Sequence, residues 1–77
     1  MKGVSIMVLA VFRSKTETLN FASILKSYKV PCTVVNTPRS INVACGISVK
    51  FDKYYKETAM LIISRRNFNT FAGFYEF

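Results

Sequence analysis

The chain has 77 residues, 51% of them apolar, with seven Phe, four Tyr, three Gly and two Pro, which supplies enough hydrocarbon for one small core and does not read as disorder. Eleven Lys and Arg against four Asp and Glu give a net charge of +7. The charges are scattered, so they admit anionic partners but read first as a solvated surface. Two cysteines and no histidine exclude a disulfide scaffold and leave zinc without a third thiolate or imidazole.

The opening "MKGVSIMVLAVF" sets a lysine before an apolar run, as a signal peptide would, but Arg13-Ser14-Lys15 follows without a small-x-small cleavage pattern. The run is too short to span a bilayer. Val4 to Phe12 is therefore expected to be a buried first strand and the protein cytoplasmic. Ser14-Lys15-Thr16-Glu17 matches a capping box, in which the serine hydroxyl caps the amide of residue 17 and the glutamate returns to the amide of residue 14. The helix that follows carries Leu19, Ala22, Leu25 and Tyr28, with Phe21 and Ile24 beside them, at steps of three and four residues. Pro31 ends it.

Cys32 to Val35 reads as a short second strand ending in the turn formers Asn36, Thr37 and Pro38. Ile47 to Phe51 alternates apolar and polar, as a third strand with one buried face does. The roughly ten residues between these strands exceed what a hairpin needs, and loops of that length often carry function. A second helix is expected from Asp52, its N-cap, to about Arg66, with Tyr55, Ala59, Ile62 and Ile63 on one side. Asn67 to Thr70 is a turn, and "FAGFYEF" alternates as a closing strand. The order β-α-β-β-α-β predicts an α+β, ferredoxin-like sandwich: one domain over residues 1–77, with a four-stranded antiparallel sheet and two helices on one face. That superfold does not specify a function.

Within the long loop stand Pro38, Arg39, Cys45 and Gly46. Glycine after a cysteine allows a tight turn and close backbone approach to the sulfur or its cargo. A guanidinium folded over the loop would favour thiolate over thiol. A free cysteine commonly serves as a small buried hydrophobe instead; that is the expectation for Cys32, between Val30-Pro31 and an apolar strand. For Cys45 the residues by themselves leave both roles open.

Phe12-x-Ser14, the following helix and Thr37-Pro38-Arg39-x-Ile41-x-x-x-Cys45-Gly46-Ile47 resemble the small bacterial selenium or sulfur carrier-like proteins over nearly the whole chain. That resemblance implies a cysteine holding sulfur or selenium as a persulfide or selenosulfide. Carried over by position, the carrier thiol is Cys45, with Gly46, Arg39 and Pro38 in support. It implies partners too: a donor such as a cysteine desulfurase, and an acceptor enzyme. A carrier of this kind is not an autonomous enzyme and needs no cofactor, which suits a chain lacking a glycine-rich phosphate loop and any Cys-His or carboxylate pair. Arg39, Lys50 and Lys53 are candidates to steer an acidic partner.

Two other readings use the same fold. RNA-recognition domains share the element order and stack bases on aromatics of their first and third strands, but here the third strand has a single aromatic, on its apolar face, and nucleic acid is not the expected partner. Alternatively, the sheet face without helices docks a protein or forms a homo-oligomer, unless Lys50, Ser48 and Glu76 simply wet it.

Overall fold

A computed structural model describes residues 6–41 and 46–76. Strand β1 (Met7–Phe12) leads to helix α1 (Lys15–Ser27), then strands β2 (Cys32–Asn36) and β3 (Ile47–Asp52), a 3₁₀ turn (Lys53–Tyr55), helix α2 (Lys56–Arg65) and strand β4 (Phe71–Glu76). The strands form one sheet in the order β2-β3-β1-β4, every neighbouring pair antiparallel. Two interlocked βαβ crossovers produce that order: α1 carries the chain past β3's place to β2, and α2 carries it past β1 to β4. This is the α+β, ferredoxin-like arrangement predicted from the element order.

Pairing register divides the sheet into two faces. Val8 lies opposite Phe51, and Ala10 opposite Val49 and Phe74; Cys32 and Val34 of β2 join the same face through Phe51 and Val49. With Phe12 they meet Phe21, Ala22 and Leu25 of α1 and Ala59 and Ile62 of α2 in the core. Phe12 is its hub, fully buried with ring centroids 5.3 Å from each of Phe21, Phe68 and Phe71. Tilted and edge-on pairs of this kind each add about 0.5–1.5 kcal/mol beyond burial of their area.

Four local details depart from the sequence reading. The Ser14 hydroxyl does accept from the Glu17 amide at 3.3 Å, but the Glu17 carboxylate does not complete a capping box. It reaches instead to the turn before β4, where Oε1 accepts from the amide and hydroxyl of Thr70 at 3.0 and 2.6 Å and Oε2 from the Asn69 amide at 3.2 Å. Three donors converging on one carboxylate outcompete a single local amide. The buried stripe of α1 is Thr18, Phe21, Ala22 and Leu25, whereas Leu19 and Tyr28 are half exposed; the helix is rotated toward the bulky Phe21, which enters the aromatic cluster. Asp52 caps the 3₁₀ turn, accepting from the Tyr54 amide at 2.8 Å, and α2 proper starts only at Lys56.

The fourth departure is in β4, which does not alternate. Its register with β1 slips between Val11, opposite Gly73, and Phe12, opposite Phe71. This bulge is centred on Gly73 with φ +128, backbone that only glycine adopts freely. An extra residue in one strand brings two side chains three positions apart onto the same face. Phe71 and Phe74 consequently both enter the core, 4.9 Å apart.

At its other end α1 stops in a Schellman motif. Val30 donates to the Leu25 carbonyl and Lys29 to that of Lys26, both at 2.9 Å, with Lys29 at φ +63. Buried Val30 supplies the accompanying apolar contact, so the chain reverses before Pro31.

Candidate functional site

The β2–β3 connection is built outward from the ladder. Cα pairing runs to Asn36 opposite Ile47, and one further bond, from the Thr37 amide to the Gly46 carbonyl at 2.9 Å, closes the base of the loop. The hydroxyls of Thr37 and Ser48 hydrogen-bond to each other across it. Ser48 lies opposite Val35, so Thr37 and Ser48 are diagonal neighbours on one face of the pair. Two hydrogen bonds thus fix the point at which the chain leaves and rejoins the sheet.

Beyond this base the Ile41 amide donates to the Pro38 carbonyl at 3.0 Å, making Pro38–Ile41 a four-residue turn with Arg39 and Ser40 at its corners. Arg39 is exposed at the corner. Gly46 is also exposed, with φ +106 and no atom within 4 Å of where a Cβ would stand. Glycine is therefore required here by backbone conformation rather than by lack of space. Three of the four predicted site residues, Pro38, Arg39 and Gly46, sit on this loop; the fourth, Cys45, lies outside the described residues, and with it the expected contact between Arg39 and its sulfur.

The Pro38–Ile41 turn lies beside the sheet face that the helices leave free. Pro38, Ser40 and Ile41 line a hollow of about 360 Å³ with Leu9 and Tyr75 of the sheet and Glu76. Leu9 and Val11, which point to that face, are 2% and 0% exposed, and Ser48 is fully buried. Of the two alternatives for this face, Ser48 does not wet it, since it is fully buried with its hydroxyl bonded to that of Thr37. Glu76 borders the hollow, but its side chain is drawn to the other face. Its register partner is Val8, on the helix side, and its carboxylate meets Lys56 at 3.0 Å and Lys53 at 3.5 Å. Lysine contacts hold the Glu76 carboxyl below the usual carboxylate range, the hydrogen bond from Lys56 foremost.

The same geometry bears on the RNA reading. Strands β1 and β3 present Leu9, Val11, Ser48 and Lys50 to the free face, with no aromatic among them to stack a base. The aromatics of "GFYEF" divide, Phe74 going to the core and Tyr75 remaining 38% exposed on the loop side.

Cys32 is a packing residue, as its sequence neighbours suggest. It is half buried against the core, and its thiol donates to the Ala22 carbonyl at 3.6 Å. Burial pushes its pKa up, against a smaller opposing pull from Lys26, so it is held as the less nucleophilic thiol.

A family model described as "Putative Se/S carrier protein-like" matches residues 7–76, nearly the whole chain. The chain belongs to that family. The carrier-like match takes in every element from β1 to β4 and the entire Pro38–Gly46 loop. No curated protein and no solved structure matches the chain. Among the described residues, no helix of this carrier-like protein is long and apolar enough to cross a membrane. Sequence reasoning missed Thr37, Ser48 and Tyr75 as loop supports. Thr37 and Ser48 are legible as a pair only once the Asn36–Ile47 register is known.

Proposed function

We propose that this protein is a cytoplasmic sulfur or selenium carrier, not an autonomous enzyme, and that Cys45 holds the cargo as a persulfide or selenosulfide. Membership of the carrier-like family over residues 7–76 carries the reading. The loop geometry supports it: the loop that contains Cys45 is anchored at its base by Thr37, Gly46 and Ser48, and Arg39 and Gly46 on the same loop are exposed. Cys32, the other sulfur, is occupied in packing.

In the proposed transfer the Cys45 thiolate attacks the terminal sulfur of a donor persulfide, such as that of a cysteine desulfurase. A bond forms between Cys45 Sγ and the sulfane sulfur as the donor's S–S bond breaks, and the electron pair leaves on the donor's cysteine thiolate. Nothing is oxidised or reduced overall, and no cofactor is needed. An acceptor enzyme takes the terminal atom by the same exchange, and a selenium atom bound to a cysteine sulfur transfers by the same bond changes. Arg39 favours the thiolate and the persulfide anion.

Incubation with a cysteine desulfurase and cysteine, followed by intact and peptide mass spectrometry, tests the reading. One sulfane sulfur on the peptide containing Cys45, lost in Cys45→Ser and retained in Cys32→Ser, is expected. Absence of the adduct, or equal labelling of Cys45→Ser, would refute it.

A further inference from the structure

On the face opposite the loop, α1 packs on β1, β2 and β3 while α2 reaches the core through Ala59 and Ile62, and a groove runs between the two helices. One end is lined by Tyr28 of the α1 cap with Leu61, Ile62, Arg65 and Arg66, enclosing about 470 Å³. A second hollow of about 390 Å³ shares Arg66 and continues the groove past Ile24 and Phe68, with Glu17, already held by Thr70 and Asn69, on its wall. Tyr28 and Leu61 are 51% and 48% exposed, which places two large apolar side chains and two guanidiniums in a single concave surface.

The cations here take part in no ion pair among the described residues. Among the described residues the only ion pairs join Glu76 to Lys53 and Lys56. Glu17 is engaged by Thr70 and Asn69, and Asp52 by the Tyr54 amide. Glu57 stands in the first turn of α2 and Arg65 in its last, so among the described residues Arg65 and Arg66 have no ion-pair partner, in a chain of net charge +7. A second copy of the chain would bring like charge against like charge. A phosphate backbone gains little from the hydrocarbon of Tyr28 and Leu61, whereas a protein segment uses both features.

We propose that the α1–α2 groove docks an acidic segment of a protein partner, with Asp or Glu side chains on Arg65 and Arg66 and an apolar residue between Tyr28 and Leu61. Planar guanidiniums suit paired recognition of carboxylates. Because the groove and the Pro38–Gly46 loop lie on opposite faces of the sheet, an occupant leaves the loop uncovered. This inference does not depend on the carrier reading.

A labelled peptide alternating Glu with Leu and Phe, titrated against the ¹⁵N-labelled full chain, is the test, with a Lys-for-Glu peptide and a 12-nucleotide single-stranded RNA as comparison probes. Chemical-shift changes should centre on Tyr28, Leu61, Ile62, Arg65 and Arg66. The double change Arg65→Gln and Arg66→Gln should weaken binding about tenfold or more, as loss of charge complementarity does. Tyr28→Ala should weaken it too, and the spectra report whether each variant remains folded. Shift changes elsewhere, unaltered affinity in folded variants, equal binding of the Lys peptide, preferential RNA binding in the groove, or dimerisation through it by sedimentation would each overturn the proposal.

Discussion

Replacing Gly46 by L-alanine and by D-alanine separates backbone conformation from packing at the base of the loop. Gly46 has φ +106, and an added Cβ would meet nothing within 4 Å, so any cost of L-alanine is torsional. Holding a non-glycine L-residue in such a region costs about 1–3 kcal/mol. For D-alanine the same φ is the mirror image of an ordinary one, and restricting the unfolded chain should stabilise the protein by about 0.4–1 kcal/mol. In a domain of this size each kcal/mol moves Tm by roughly 4–8 °C, so the two epimers, whose restriction of the unfolded chain is the same and cancels, should differ by at least about 4 °C, with D-alanine the more stable. Both proteins can be assembled from two synthetic segments joined at Cys45 and compared by calorimetry. Equal melting temperatures of the two epimers would refute the assignment of Gly46 to a left-handed backbone.

Two further outcomes follow from the ionisable groups. Hydrogen bonds from the Thr70 hydroxyl and amide, with the Asn69 amide adding to them, hold the Glu17 carboxyl below its ordinary value. A carboxyl lowered on folding stabilises the native state above its unfolded pKa, and that contribution is lost as pH falls through the folded pKa. Glu17→Gln should therefore narrow the stability difference between neutral and acidic pH in urea titrations, and an unchanged acid limb would contradict the contact. Cys32, whose thiol is raised by burial, should be alkylated by iodoacetamide at pH 7.5 more slowly than free cysteine when measured in a Cys45→Ser background. Labelling faster than free cysteine would show that it is not a packing thiol.

Much of this architecture is written in local chemistry. Ser14 before a helical run, the apolar-polar alternation of Ile47–Phe51 and the turn formers after Val35 each act within a few residues, and their order fixes the sandwich topology. Pro38, Arg39 and Gly46 could be assigned to one loop for the same reason. What the loop rests on could not be read locally, because the Thr37–Ser48 hydroxyl pair and the burial of Leu9 and Val11 depend on register and on which sheet face the turn lies beside.

The sequence by itself determined which segments form strands and helices and in what order, since capping, proline geometry and hydrophobic period are short-range effects. Tertiary structure alone decided that Glu17 binds Thr70, a residue 53 positions away, and that a bulge at Gly73 turns both Phe71 and Phe74 inward. In each case a group with more than one local option took the one offered by a distant element. That choice is made by the hydrogen bonds and packed rings of the assembled sandwich, which no short window of sequence contains.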